Sequence, residues 1–391
     1  MLRPPLLVEV TLVVALGASV LGGCSRSGTE SGPGSASASA GSRAASASAP
    51  SASGSAVPST RPGATSGPSG IDGGASAQAP ELEPEELPEI ELMPESLDEQ
   101  RHAMLRRMAA LGVGNAEQLG TVEKIIFATK HLAQGNPQIT EHPMTRQQCF
   151  ERRRVAGVRD EKKPRCAAPF MVPLLDPAAE REDAARVCID RYEFPGLPCE
   201  YPVTWVTTAQ AQELCKALGK RLCDAHEWEG ACAGTLRPPE KEYAFGQPRS
   251  AMRNLHNRDR EIRWAYGPKK DHGKCATGSR RSKRCTASGW KVCGSNSYPA
   301  GSFPECRSSF GVYDLHGNVA EHMALPEKPE ELGSRGGFGE PEMKGSWFIF
   351  SSYEAHEDDC RWRAPAWHAN EGKNHSNYHL GFRCCKDVRS E

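Results

Sequence analysis

The segment GVYDLHGNVAEH, Gly311 to His322, sets Asp314, Asn318 and Glu321 around two glycines, with aromatic and aliphatic residues between them. Oxygen-bearing side chains at short range on a glycine-bent backbone suit a hard cation such as calcium. Asp, Asn and Gly are equally the ordinary chemistry of a hydrogen-bonded turn that pins a loop. Taken alone, the segment reads more simply as a turn, and the surrounding chain has to decide.

Upstream, Arg3 precedes an apolar run from Leu6 to Leu21, followed by Leu21-Gly22-Gly23-Cys24. A short basic start, an apolar stretch and small residues before the cleavage point describe a secretory signal, residues 1–23. The run is shorter than the ~20 residues a membrane-spanning helix needs. Its end resembles a bacterial lipobox, which implies lipidation at Cys24, an N-terminal lipid as the contact with the membrane and, with Ser25 next, outer-membrane sorting on its periplasmic or surface face. Residues 24–97 form a tether. Ser, Ala, Gly and Pro dominate to about Pro80, too little apolar surface to offset the entropy of ordering. A flexible chain of that length reaches roughly 40 Å. Glu81 to Gln100 is then rich in acid and free of Lys or Arg, a solvated spacer.

The 391-residue chain carries a formal net charge of -1, so no global basic field argues for nucleic acid. It has fifteen Cys; setting Cys24 aside leaves fourteen, all from Cys149 onward. An even number in an exported chain reads as a disulfide framework. Zinc is the lesser reading, because no C-x-x-C pair occurs. Cys149 and Cys166 bracket a basic loop and are candidates to pair with each other.

Residues 98–186 read as a helical preface. Leu97, Met104, Leu105, Met108 and Leu111 fall at helical spacing before Gly112. Leu119, Val122, Ile125, Ile126, Thr129 and Leu132 repeat the pattern before Gly135. The main domain, residues 187–391, opens with a strand-like run, Tyr201 to Val206. Thr207 with Gln210 and Asp224 with Glu227 resemble capping boxes, and each following helix carries a Cys on its apolar side, Cys215 and Cys232. After Gly234 the chain is irregular, and CRWR from Cys360 and HLGFRCC ending at Cys385 read as closing strands.

Four ordered motifs, AQELCKALGKRLCDAHEWE, GVYDLHGNVAE, KGSW and GFRC, resemble those of formylglycine-generating enzymes and their sulfatase-modifying-factor relatives over about Cys188 to Lys386. The resemblance implies an α+β, C-type-lectin-like fold, low in regular secondary structure and disulfide-rich. It implies disulfides Cys215–Cys384 and Cys232–Cys360; Cys188 with Cys385 is a further guess from the first strand meeting the last. It also implies structural calcium held by Asp314, Glu321 and the carbonyls of Gly317 and Val319, and a second calcium at Asn254 and Leu255. The tryptophans usual in the G-N-V-W-E-W motif are Ala320 and His322 here.

The enzymes of the family bind copper through two thiolates shortly after the G-S-W segment, and a soft Cu(I) ion needs such ligands. Phe348 to Asp359 contains no Cys, so copper is not expected and no catalytic residue is assigned. The chain then reads as a non-catalytic binding or structural module of the cell envelope, with a protein or glycan ligand. The alternative is a metal-dependent oxidoreductase of the same superfamily using histidines. The candidates are His102 and His131 in the helical preface, without the clustered ligands such a site requires, and His356, His368, His375 and His379 near the end, where glycine, asparagine and lysine read as a loop. Trp347, Trp362, Trp367 and Tyr378 could line a groove or pack a core short of regular structure.

Overall fold

The computed structural model describes residues 94, 96–176, 181–286, 289–334, 339–364 and 374–388. The signal segment, Cys24, nearly all of the tether, Trp367 and His368 lie outside the described residues.

Three helices open the chain: α1 (Leu97–Ala110), α2 (Ala116–Phe127) and α3 (Arg146–Val155). Each begins with a capping box, Ser96 with Glu99, Asn115 with Gln118 and Thr145 with Gln148, which satisfies two otherwise orphaned backbone donors. The apolar faces of α1 and α2 enter the largest core: Met104, Met108, Val122 and Ile126 pack with Phe194, Leu214, Leu218 and Phe382. The boundary expected at residue 187 therefore does not divide the packing. The preface shares its core with the residues that follow.

Strands β1 (Met171–Leu174) and β2 (Val187–Asp190) form a hairpin. They are followed by α4 (Thr208–Ala217), the short β3 (Arg221–Leu222), α5 (Ala225–Ala233), the single-turn α6 (Pro239–Glu242) and α7 (Arg249–Asp259). Strands β4 (Ala320–Leu325), β5 (Glu340–Lys344), β6 (Leu380–Phe382) and β7 (Cys384–Asp387) complete two small sheets. One has the order β1-β2-β7-β3 and the other β5-β4-β6. Thr207 with Gln210 caps α4 as the sequence predicts. At α5 the Glu227 carboxylate accepts from the Asp224 N–H at 2.8 Å.

Three expectations are corrected. Tyr201 to Val206 is not a strand. It makes only the isolated bridge Thr204 to Ala133, because Cys199 and Trp205 take left-handed backbone angles that an extended run does not hold. Cys360 to Arg363 is a turn, since Arg361 and Arg363 go inward to Glu242 and Glu229 rather than lying along a ladder. Helix α7 arises inside the stretch read as irregular.

Seven disulfides tie these elements: Cys149–Cys199, Cys166–Cys188, Cys215–Cys384, Cys223–Cys385, Cys232–Cys360, Cys275–Cys306 and Cys285–Cys293. Cys149 therefore does not pair with Cys166, nor Cys188 with Cys385. Strand geometry explains the second case. Ile189 lies opposite Cys385, whereas Cys188 lies opposite Lys386. Successive side chains point to opposite faces, so Cys188 and Cys385 look away from each other. The same alternation sends the adjacent Cys384 and Cys385 into different cores. Cys384 and Cys215 pack with Leu214 and Phe382, and Cys385 and Cys223 pack with Trp228 and Ile189.

The Cys215–Cys384 bridge joins residues 169 apart, so it constrains a long loop of the unfolded chain. Replacing the pair by Ala should lower stability by about 3–5 kcal/mol in denaturant unfolding without reductant. A loss below about 1 kcal/mol would mean that the bridge closes nothing the core does not already close.

Candidate functional site

The Gly311–His322 segment is buried, and its turns are left-handed. Asp314 and Asn318 have φ of 56° and 54°, angles that Asp and Asn accept better than other side chains. Gly317 is required by close approach as well, since a Cβ there would lie 2.7 Å from the Ala276 carbonyl carbon and oxygen. Asn318 accepts from the Tyr298 N–H at 2.8 Å and donates to Glu193 at 2.6 Å. Asp314 accepts from the Gly301 N–H. His322 is held between Thr208 and the Val206 carbonyl.

Glu321 is met by Arg383 through two parallel bonds, Nε at 2.7 Å and a terminal nitrogen at 2.6 Å, and by the Trp228 indole N–H at 3.2 Å. The guanidinium also donates to the Tyr313 carbonyl at 2.9 Å. Three buried carboxyls, Glu193, Asp314 and Glu321, thus surround the buried Arg383 guanidinium, with the buried Arg153 also acting on Asp314. Burial, with the charges of Asp314 and Glu321 beside it, pushes the Glu193 carboxyl well above the ordinary range. Burial raises Asp314 to about 6, opposed by the Gly301 N–H and Arg383.

The second calcium pair has a different setting. Asn254 is exposed and Leu255 lies inside α7. A carbonyl within a regular helix spends one lone pair on the i to i+4 ladder, so this pair would meet an ion from a helix rather than from a loop.

Among the described residues, thiol chemistry has no free group to use. All fourteen Cys from Cys149 to Cys385 are in disulfides, Cys360 with Cys232 among them. After Trp347, the segment where the family resemblance places two thiolates instead borders a cleft of about 450 Å³, lined by Arg281, Ser282, Lys283, Ile349, Ser352 and Tyr353. Two stretches form it and are stitched together: Ser279 N–H to the Phe348 carbonyl at 2.7 Å, and the Ser351 hydroxyl to the Thr277 carbonyl at 2.8 Å. Behind it lies an aromatic layer. Trp347 stacks on His379 at 4.6 Å, and His356 stacks on Trp362 at 4.5 Å.

Residues 138–388 match the model of the sulfatase-modifying factor enzyme 1-like domain. The chain belongs to this family. Among solved structures it is similar to PvdO from Pseudomonas aeruginosa, at 17% identity with a TM-score of 0.30, covering 56% of this chain and 91% of that one. It is also similar to CarF, at 13% identity with a TM-score of 0.32, covering 56% of this chain and 98% of that one. A comparison with the curated proteins finds no match.

The histidines of this sulfatase-modifying-factor-like domain are dispersed. Among the described residues, no cluster of three metal-capable side chains contains more than one histidine: Cys232–His316–Cys360 and Glu229–Glu242–His256 have one each, and Cys223–Glu227–Cys385 has none. The cysteines of the His316 cluster are joined to each other, as are those of the Glu227 cluster. In the His256 cluster, Lys344 and Arg363 hold Glu229 and Arg361 holds Glu242. His356 and His379 serve as ring-stacking partners. Sequence reasoning missed Glu193 and Arg383 in the first site and Arg281, Lys283 and Tyr353 in the second. The basic run Ser279-Arg280-Arg281-Ser282-Lys283-Arg284 was the available signal for the cleft.

A raised carboxyl binds its proton more tightly in the folded chain, so its contribution is present below the unfolded value and is lost as pH rises through the folded one. For Asp314 the window runs from 3.8 to about 6. Asp314→Asn removes that titration. Its stability relative to the parent should therefore rise between pH 4 and pH 7, as read from thermal midpoints. A pH-independent difference would place the titration elsewhere.

Proposed function

We propose that the chain is an exported, lipid-anchored protein of the cell envelope whose sulfatase-modifying-factor-like domain binds a ligand and does not perform thiol–copper oxidation. The observation that carries the reading is the absence of a free thiol: the fourteen cysteines of the domain are paired, and Phe348 to Asp359 supplies no replacement. A soft metal that activates oxygen needs exchangeable soft ligands, and a thiol nucleophile needs a thiolate. The stitched cleft beside Trp347 is the surface on which binding is retained.

Many disulfides fit an oxidising, extracytoplasmic setting. Among the described residues no helix is long and apolar enough to cross a membrane. Lipid at Cys24 then supplies the attachment, with the Ser, Ala, Gly and Pro tether as spacer and the outer membrane as destination. Cys24→Ala should move the protein from the membrane to the soluble fraction after cell fractionation; retention in the membrane would overturn the anchor.

Titration of the unfolded, unreduced Cys24→Ala protein with a thiol reagent should find no free thiol. The same protein loaded with Cu(I) and offered a cysteine peptide should consume no oxygen above the metal blank. A free thiol pair together with metal-dependent oxygen uptake would overturn the non-catalytic reading. Stoichiometric iron with oxygen uptake would favour the histidine-ligated oxidoreductase instead.

Calcium at Asp314, Glu321 and the Gly317 and Val319 carbonyls belongs to the same proposal as a structural ion. Arg383 faces three carboxyls, and Arg153, which also acts on Asp314, is shared with Asp160, so a proton on Glu193 or a divalent cation can offset the crowded negative charge. Calcium added after chelation should then raise the thermal midpoint at pH 7, and Asp314→Ala should abolish the shift. No shift in the parent protein would assign the balance to the proton.

A further inference from the structure

We infer that the cleft beside Trp347 binds an anionic saccharide, a sugar ring that carries a carboxylate or a sulfate ester. The inference rests on the reading of the domain as a binding module and gives that module a ligand class.

The charge is local. Arg280, Arg281, Lys283 and Arg284 stand within five residues of a chain whose net charge is -1, and Arg281 and Lys283 line the cleft itself. Both are exposed. Glu354, next to Tyr353, is turned to Lys270 at 2.7 Å. Among the described residues no carboxylate pairs with Arg281 or Lys283. A guanidinium beside an ammonium recognises oxyanions, the first through paired donors and the second as a point charge.

The run is also built to hold its shape. The Cys285–Cys293 bridge closes the loop that follows it. The Ser282 hydroxyl accepts from the Gly294 N–H at 3.0 Å, and Asn296 donates to the Arg280 carbonyl at 2.8 Å. Arg281 reaches Tyr378, whose phenol burial raises while that contact opposes the rise. A mobile basic tail would need none of these restraints. Side chains held in place lose less entropy when a ligand arrives.

The opposite wall calls for a ring rather than a bare ion. Tyr353 is 57% exposed, one of three large hydrophobic residues so placed among the described residues. Its ring lies 6.3 Å from Trp347, which is buried and whose indole N–H has no hydrogen-bond partner. An exposed aromatic ring, here tilted at 57° to the buried Trp347 beside it, offers a face that stacks against the apolar face of a sugar. Ser282 and Ser352 add hydroxyls that can donate to or accept from sugar hydroxyls. The volume of about 450 Å³ falls within the range of roughly 300–1,000 Å³ typical of small-ligand clefts. An inorganic anion would use the two cations and leave the aromatic wall and most of the cleft unused.

The test is calorimetric titration of the full-length protein with four probes: an oligogalacturonate, a sulfated dextran oligosaccharide, a neutral dextran oligosaccharide of matched length, and sodium sulfate. Either charged oligosaccharide should bind, and the neutral one should bind at least roughly tenfold more weakly. Arg281→Ser with Lys283→Ser should weaken the charged probe roughly tenfold or more. Tyr353→Ala should weaken it as well while leaving the response to sulfate unchanged. All variants should keep the parent thermal midpoint, because the three side chains are exposed.

Equal binding of neutral and charged sugars, or unchanged binding in the variants, would overturn the inference. So would sulfate binding as tightly as the sugars, which would leave a simple anion site. Binding to phosphatidylglycerol vesicles but not to either charged sugar would identify a membrane surface instead. Absence of sugar binding with no metal-dependent oxygen uptake would sink this inference alone; absence of binding together with such uptake would sink the non-catalytic reading as well.

Discussion

The guanidinium of Arg383 is the point on which the fold closes. Arg383 is the one residue between β6 and β7, where the chain leaves one sheet and enters the other. It is fully buried, and it binds Glu321 on β4 of the first sheet. It also donates to the carbonyls of Asp190, the last residue of β2 in the second sheet, and Arg191. A buried charge is tolerable only when paired and hydrogen-bonded on most sides, and here the partners come from two distant parts of the chain, residues 190–191 and the Gly311–His322 segment. The Gly311–His322 segment is one of those parts, which is why its Asp, Asn and Gly backbone must take the left-handed angles that it does.

Around that point the disulfides do what extended strands and long helices do in larger cores. The strands run two to six residues, too short to hold the layers by ladders alone. The adjacent Cys384 and Cys385 divide by strand alternation, one to α4 and one to Cys223, so a single short strand is fastened on both faces. Buried ion pairs fill what remains. Glu229 lies between Lys344 and Arg363, and although burial opposes its ionisation, Arg363, His256 and Lys344 outweigh that and hold its carboxyl well below the ordinary range. These arrangements use the fourteen cysteines from Cys149 onward as structure.

Much of this was legible in the sequence wherever local physics governs. The caps at Thr207 and Asp224 and the apolar faces of α1, α2 and α4 follow from spacing alone. The short motifs carried the family, and the lack of Cys between Phe348 and Asp359 was plain. What spacing could not give was pairing at a distance. Cys149 finds Cys199 because α3 docks there, and Cys188 is turned from Cys385 by a register that only the assembled sheet defines. Arg383 and Glu193 were likewise invisible as partners, being 62 and 128 residues from Glu321. The basic run at Arg280 to Arg284 was visible, but its meeting with Tyr353 depends on hydrogen bonds between segments some 70 residues apart, such as that of Ser351 with Thr277.

The Arg383–Glu321 pair is therefore the direct test of the account. A double-mutant cycle with Arg383→Met and Glu321→Gln, read by reversible denaturant unfolding with the disulfides intact, would measure it. Each single substitution leaves a buried group without its partner and should cost about 3–5 kcal/mol, whereas the double substitution should cost clearly less than the sum. Additive costs would show that the two groups do not act together, and the closure of the two sheets would have to rest on something else.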